Sequence, residues 1–292
     1  MNKKKINRVI DLLLIDQPVY YTSTNNFTYE NGKKMAKTWA DYIRLDCEHG
    51  PLDIKGVNDF MNGLFDAGPT KTGHLTPAVI AELPFGGTSE MVVESNAWMI
   101  NQLLACGIHG LILCHAENPD AVRKLIEFVR YPFHTSGVGK NLNLGRRGHG
   151  GQKRSAKMWG ISVEEYFQKA DVWPLNPNGE IILGIKIENK LALKNAVQTA
   201  KVPGITFGEW GMGDMLISHG YPKTSEFPLS DKFEKIRQYV WDACNDAGIY
   251  FLCILTQDNI KEMLDKGVKF CRTNHQEIAE IGRDYTKRPL SW

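Results

Sequence analysis

The feature of the sequence that most constrains its fold is a repeated alternation of short β-type runs with longer amphipathic segments. Eight strand–helix units follow one another, from "PVYYT" near the start to "VKFCRT" and "NHQEIAEIGR" near the end. Such alternation predicts parallel strands joined by crossover helices, and eight consecutive units predict a closed (β/α)₈ TIM barrel in the α/β class. An open, doubly wound sheet is the alternative fold.

The chain has a length that suits one barrel, and no linker-like stretch divides it. It has 292 residues, so we expect a single (β/α)₈ domain over residues 1–292. The segment at residues 135–158, rich in glycine and basic residues, interrupts the alternation and is expected to be an inserted loop. It would serve either as a lid that grips substrate or as a passive connection.

The net charge, the early apolar run and the cysteine positions argue against several classes of protein. The net charge of +2 gives no global field that would attract nucleic acid or a membrane surface. The early apolar run, residues 9–15, contains Asp11 and is too short for a membrane span, and "MNKKK" is expected to be a solvated tail. Six cysteines form no C-x-x-C pair and mostly lie in apolar runs, which predicts reduced thiols and a cytoplasmic location.

The second predicted strand ends in a polar cluster. In a barrel the chemistry lies at the carboxyl ends of the strands, and successive side chains of a strand face opposite sides. In "YIRLDCEHG", Arg44, Asp46 and Glu48 share the face that would point into the barrel, and His49 follows at the rim. Charges on an inner face are costly unless they pair or serve a site. This strand end is therefore a candidate catalytic corner.

Two further strand ends supply acids. The fifth predicted strand, "IILGIKIEN", places Lys186 and Glu188 on its inner face, and the sixth is followed by a glycine-rich turn that contains Asp214. A single acid here would more simply be a helix cap, but carboxylates from adjacent strand ends suit Mg²⁺ or a similar oxygen-preferring ion. The combination predicts a metal site at the mouth of the barrel.

At this point the sequence resembles a known family, the HpcH/HpaI aldolase and citrate lyase family. "LDCEHGPLD" resembles the family's "D-x-E-H" corner, and "AENPDAVRKLIEFVRYP…SGVG" its fourth helix with the segment that follows. "GIKIENKLALKNA" is similar to the "QIET-x-EA" strand and helix, and "GDMLISHGY" to the "ADLS…G" turn. The resemblance runs in order from about Asp41 to Tyr221 and more faintly beyond.

The resemblance implies an activity and roles for individual residues. It implies a carbon–carbon lyase of the metal-dependent aldolase type that acts on a small 2-oxo acid through a metal-stabilised enolate. Glu188 and Asp214 would hold the divalent ion (Mg²⁺, Mn²⁺ or Co²⁺), and Gly213 in the same turn would contact substrate. His49, oriented by Asp46, would be the acid–base group. The family also implies a homo-oligomer, a hexamer built as a trimer of dimers.

Two positions depart from the family pattern and put its substrate in doubt. Where the family has a substrate-binding arginine after the third strand, this chain has Glu82 and Leu83, so Glu82 is expected to line the substrate site in its place. Where the family has glutamine two residues before the metal glutamate, this chain has Lys186, a cation that would weaken metal binding unless it pairs with a carboxylate or with the substrate. Arg44, on the same inner face as Asp46, would partly replace the missing arginine.

Other residues leave alternatives open. His115 ends the fourth strand and would be either an additional acid–base group or, as we favour, a rim hydrogen-bonding residue that contacts substrate. Arg146 and Arg147 in the long loop are a second possible source of a substrate-binding cation. Lys186 would, in a different class of enzyme, form a Schiff base with a carbonyl substrate. A barrel that binds a metabolite without catalysis is the remaining alternative.

Overall fold

The structure is a computed structural model that describes residues 4–273 and 275–288. It is a closed barrel of eight parallel strands, because β4 pairs with β6 and so joins the two ends of the sheet. A two-residue strand, β5, lies beside β6 outside the ring. The strands are β1 (Val19–Thr24), β2 (Tyr42–Asp46), β3 (Ala78–Gly86), β4 (Gly110–Cys114), β5 (Val172–Trp173), β6 (Ile181–Ile187), β7 (Phe207–Trp210), β8 (Tyr250–Ile254) and β9 (Phe270–Arg272).

Helices follow the strands and surround the barrel. The helices are α1 (Arg8–Leu14), α2 (Tyr29–Met35), α3 (Ile54–Asp66), α4 (Glu90–Ser95), α5 (Ala97–Ala105), α6 (Pro119–Val129), α7 (Gln152–Trp159), α8 (Val163–Lys169), α9 (Lys190–Lys194), α10 (Ala196–Ala200), α11 (Met212–Ser218), α12 (Asp231–Asp246), α13 (Ile260–Asp265) and α14 (Gln276–Tyr285). The predicted (β/α)₈ barrel is confirmed, and the predicted fifth to eighth strands are β6 to β9.

Local sequence explains where individual helices begin. Asp53 starts α3 by accepting a hydrogen bond from the Gly56 backbone N–H at 2.7 Å, and Asn118 caps α6 immediately before a proline at the first helical position. The segment at residues 135–158 was expected to be a loop throughout. Its last part instead forms most of α7, which packs its apolar face against α3, α5 and α8.

The barrel interior has an apolar lower half and a charged upper half. The lower half is closed by α1, whose buried side chains pack with inward-facing residues from the starts of the strands. Along β3 the inward residues pass from Ile80 to Glu82, along β6 from Ile182 to Lys186, and along β7 from Phe207 to Glu209. Because a strand alternates its side chains, this pattern places all the charges together at the carboxyl ends of the strands.

A second apolar layer fills the space between the strands and the surrounding helices. All six cysteines are free and buried, which agrees with their prediction as small apolar core residues.

Within residues 4–273 and 275–288, none of the helices has the length and apolar character needed to cross a bilayer.

One buried histidine gives the fold a pH dependence. His109 is 1% exposed, its Nδ1 accepts a hydrogen bond from the Val79 N–H at 3.2 Å, and burial lowers its pKa to about 3. The folded state therefore keeps His109 neutral, whereas the unfolded chain takes up a proton near pH 6.5. The contribution of His109 to the free energy of unfolding is therefore fully present above pH 6.5 and is lost as the pH falls toward 3.

We expect the free energy of unfolding to fall between pH 7 and pH 5 by about 2 kcal/mol more in the wild type than in His109→Asn. Asparagine keeps an acceptor near the Nδ1 position but does not titrate. Urea unfolding of both proteins at the two pH values measures the difference. An equal fall in both would show that His109 carries no part of the pH dependence.

Candidate active site at the carboxyl end of the barrel

Arg44 lies at the centre of the charged mouth and is already paired. Its guanidinium donates to a Glu82 carboxylate oxygen, and its Nη1 is 2.8 Å from both the Tyr21 hydroxyl and Glu209 Oε2. Arg44, Glu82 and Glu209 are each 4% exposed. Burial alone would lower the pKa of Arg44, but Glu209, Tyr21 and Glu82 more than offset this and raise it. Because two carboxylates balance its charge, Arg44 is not a free replacement for the missing family arginine.

Lys186 forms the second ion-pair centre. Its Nζ is 2.5 Å from Glu48 Oε2, 2.9 Å from Glu188 Oε2 and 3.4 Å from Glu82 Oε1. The side chain is 4% exposed. Burial alone would lower its pKa, but the acidic groups around it raise it instead. Lys186 is therefore an ammonium held by three carboxylates, which is the opposite of the neutral amine that a Schiff base requires.

The two carboxylate oxygens of Glu188 have different partners. The His115 backbone N–H donates to Oε1 at 2.7 Å, whereas the buried Oε2 accepts no hydrogen bond from the described residues and has only the misaligned ion pair with Lys186. Burial raises the pKa of Glu188. Gly211 leaves room for this carboxylate, because a Cβ there would lie 2.4 Å from Oε2. This oxygen already faces the Lys186 ammonium, so a metal ion bound here would compete with Lys186.

His49 and Asp46 form a hydrogen-bonded pair at the rim. His49 Nδ1 lies 3.0 Å from Asp46 Oδ1, and the His49 backbone N–H donates to the same oxygen at 3.0 Å. Burial works against ionisation of both groups, but their contact lowers the pKa of Asp46 and raises that of His49. With Nδ1–H directed at the carboxylate, Nε2 remains able to exchange protons. The pair has the geometry of an oriented acid–base group.

These residues line one cavity of about 790 Å³. Asp214, in the first turn of α11, and Gly213 lie on its wall with Glu188. The volume is in the range of small-molecule sites. The cavity brings together most of the residues selected from the sequence: Arg44, Asp46, His49, Glu82, Lys186, Glu188, Gly213 and Asp214.

Two predicted substrate-binding residues occupy other places. Arg147 is 3% exposed, donates to the Tyr166 hydroxyl at 2.7 Å and lies over the ring of Tyr131, so the structure corrects its expected contact with substrate. Arg146 instead pairs with Glu94 at 2.5 Å. His115 is outside the cavity wall; its backbone orients Glu188, and its Nδ1 lies 3.2 Å from an Asn189 amide nitrogen. This agrees with the rim hydrogen-bonding interpretation, not with direct substrate contact.

Among the residues of the mouth that did not emerge from the sequence are Tyr21, Glu209 and Arg272. Glu209 and Arg272 stand at the ends of β7 and β9, where the alternation rule applied to β2 and β6 would also have placed them inside. Tyr21 is uncharged and stands in no charged motif, so only the structure shows that its hydroxyl accepts a hydrogen bond from Arg44.

The chemistry of the donor set fits a divalent cation. Around Arg44 and Lys186 stand Glu48, Glu82, Glu188 and Glu209, so there are two more carboxylates than cations. Buried carboxylates in excess need a counter-charge. Among the described residues, two trios have donor atoms close enough to share an ion: Asp46, His49 and Glu82, and Glu48, Cys114 and Glu188. Lys186 already bridges Glu48 and Glu188 in the second trio, and Asp214 belongs to neither.

The fold and this charged mouth define a barrel enzyme scaffold with its chemistry at the carboxyl ends of the strands. A sequence model of the HpcH/HpaI aldolase/citrate lyase family matches residues 76–276, which is more than half of the chain. The protein belongs to that family, whose members are carbon–carbon lyases.

Characterised relatives agree with the family assignment. The chain is 27% identical over 233 residues to a hydroxypyruvate/pyruvate aldolase of Roseobacter denitrificans, covering 79% of this chain and 75% of that one. It is also 27% identical over 210 residues to a 2-keto-3-deoxy-L-rhamnonate aldolase of Klebsiella pneumoniae, covering 72% of this chain and 64% of that one. Both relatives are named for reactions of keto acids.

Solved structures share the fold. An HpcH/HpaI aldolase/citrate lyase family protein from Burkholderia cenocepacia superposes with a TM-score of 0.68 at 18% identity, covering 94% of this chain and 96% of that one. The citrate lyase beta subunit of M. tuberculosis, complexed with oxaloacetate and magnesium, superposes with a TM-score of 0.55 at 13% identity, covering 92% and 96%. At these identities the likeness shows the fold alone.

Proposed function

We propose that the protein is a divalent-metal-dependent aldolase that acts on pyruvate or a related 2-oxo acid. The observation that carries this proposal is the Glu188 carboxylate, which has one oxygen fixed by the His115 N–H and the other buried with the Lys186 ammonium at 2.9 Å but no hydrogen bond from the described residues, in a cavity shared with Asp214 and His49. The relatives named as keto-acid aldolases support the choice of substrate class.

Glu188 and Asp214 would hold the ion, which is Mg²⁺, Mn²⁺ or Co²⁺ by the preference of carboxylate oxygens. When bound, the ion supplies positive charge where negative charge develops on the substrate. His49, oriented by Asp46, moves the proton between the substrate and solvent. In the addition direction, the carbon next to the keto group loses a proton and bonds to an aldehyde carbon, and the aldehyde oxygen gains a proton.

The paired cations have a supporting role. Arg44 and Lys186 hold Glu82, Glu209 and Glu48 in place and offset part of the negative charge. Lys186 replaces a neutral residue of the family pattern and lies at 2.9 Å from the proposed metal ligand Glu188. It therefore competes with the ion for that carboxylate, and weaker metal binding than in relatives with a neutral residue is expected.

The homo-oligomer, the hexamer in particular, the single-domain organisation over residues 1–292 and the cytoplasmic location remain predictions. The Schiff-base alternative at Lys186 conflicts with its three carboxylate partners, and the non-catalytic barrel gives no reason for an oriented histidine in a cavity lined by buried carboxylates.

One experiment separates these possibilities. In deuterated water with Mg²⁺ or Mn²⁺, we expect the methyl protons of pyruvate to exchange in the presence of the protein, and EDTA to abolish the exchange until metal is restored. Proton nuclear magnetic resonance follows the exchange. Exchange that survives EDTA, with borohydride trapping pyruvate on Lys186, would establish the Schiff-base alternative. The absence of exchange with every metal would favour a binding protein.

A further inference from the structure

Three arginine and lysine side chains line the cavity, and one of them differs from the other two. Arg44 and Lys186 are buried and held by glutamates. Arg272, the last residue of β9, is exposed and has no carboxylate within 4.0 Å among residues 4–273 and 275–288. It is therefore the cavity's uncommitted permanent cation in the described part of the chain.

Arg272 stands on the side of the mouth away from the fourth and fifth barrel strands. It lies in register with Tyr21 on β1 and with Ile254 on β8. Tyr21 lines the same cavity, and burial raises the pKa of its hydroxyl to about 12. The side chain thus reaches the cavity where β1, β8 and β9 end.

Three residues with hydroxyl groups line the cavity near the end of β9. Ser23 and Thr256 lie two residues beyond the register partners of Arg272, and both line the cavity, as does Thr273 directly after it. The Thr273 hydroxyl already donates to the His275 carbonyl oxygen at 3.1 Å, so among these three described residues Ser23 and Thr256 remain able to donate to a ligand. An arginine beside such hydroxyls is an arrangement that binds a carboxylate or phosphate group. In TIM barrels the loops after the last two strands are a frequent place for such a site.

We propose that Arg272 determines specificity by binding an anionic group, a carboxylate or a phosphate, at the far end of the aldehyde reactant. The inference rests on the proposed function. Glu188 directly follows β6 and Asp214 follows β7, so the 2-oxo acid would lie on that side of the mouth. Arg272, two strands beyond β7, faces the other reactant. A neutral aldehyde would leave this arginine without a partner.

The test compares matched aldehydes with the wild type and Arg272→Gln. The pairs are 4-oxobutanoate against its methyl ester, and glyceraldehyde 3-phosphate against glyceraldehyde, each with pyruvate and saturating metal. We expect the wild type to prefer at least one anionic member by tenfold or more in kcat/KM, and the pair with the larger preference identifies the anion as carboxylate or phosphate. Arg272→Gln should lose that preference by a factor of ten to one hundred, mainly through KM.

Two controls keep the inference distinct from a structural effect and from the proposed function. Arg272→Lys, which keeps the charge, should recover part of the preference, and the variants should exchange the methyl protons of pyruvate at the wild-type rate. Equal losses for neutral and anionic aldehydes, or no anionic preference in the wild type, would overturn the role of Arg272. Failure of the wild type to exchange pyruvate protons would instead overturn the proposed function.

Discussion

Glu188→Gln should abolish measurable divalent-cation binding and lower aldolase turnover by on the order of a thousandfold. The substitution preserves shape and removes one negative charge from a buried position whose Oε2 accepts no hydrogen bond from the described residues. The Lys186 ammonium stays nearby, held by Glu48 at 2.5 Å, so the remaining field is unfavourable for a cation. Isothermal titration with Mg²⁺ and Mn²⁺ measures binding, and pyruvate-dependent aldol formation measures turnover.

Two variants in the same network serve as controls. Glu209→Gln removes a carboxylate that pairs with Arg44, and we expect a much smaller loss of metal affinity. Lys186→Gln removes the competing cation and should strengthen metal binding by about tenfold or more. Metal binding to Glu188→Gln with wild-type affinity would show that the ion, if it binds, uses other ligands.

His49→Gln should slow exchange of the pyruvate methyl protons by about 10²- to 10⁴-fold while leaving metal affinity unchanged. Glutamine retains hydrogen-bonding atoms but cannot exchange a proton near neutral pH. Asp46→Asn should give a smaller loss, because the ring remains but the carboxylate that orients Nδ1 and raises the pKa of His49 is gone. Nuclear magnetic resonance at saturating metal measures both variants.

The control for this prediction is His149→Gln, at an exposed histidine outside the cavity wall. It should exchange pyruvate protons at the wild-type rate. If His49→Gln also exchanged at that rate, the His49–Asp46 pair would be a structural contact at the rim and another group would move the proton.

The sequence was sufficient for the barrel and for the positions of most candidate site residues. The alternation of apolar runs predicts each of the eight strands, and the same alternation places Arg44, Asp46, Lys186 and Glu188 on inner faces, because side-chain direction in a strand is a local property. The resemblance to the family then selected the strand ends that we propose as the site.

The ion pairs between side chains on different strands could not be predicted from the alternation within each strand. That Arg44 reaches Glu82 and Glu209, or that Lys186 lies among three carboxylates, depends on the relative register of strands far apart in the chain. In the sequence, Glu82 and Lys186 are two separate departures from the family pattern. In the structure they are linked, because Glu82 forms ion pairs with both Arg44 and Lys186.

Arg147 shows a different limit of sequence reasoning. Its glycine-rich surroundings suggested a mobile loop near substrate, but packing against Tyr131 and Tyr166 buries it away from the cavity. Conversely, Arg272 ends a short strand whose pattern carries no family motif, and its importance follows only from the absence of a carboxylate within 4.0 Å in the described chain.

The most direct test of the central claim is a crystal structure of the protein with Mg²⁺ and oxalate, a planar dianion that resembles the enolate of pyruvate. The account predicts one ion ligated by Glu188 and Asp214, with oxalate on its remaining positions and His49 facing the ligand. An ion held instead by Asp46, His49 and Glu82, or no ion at Glu188 when oxalate is bound, would contradict it.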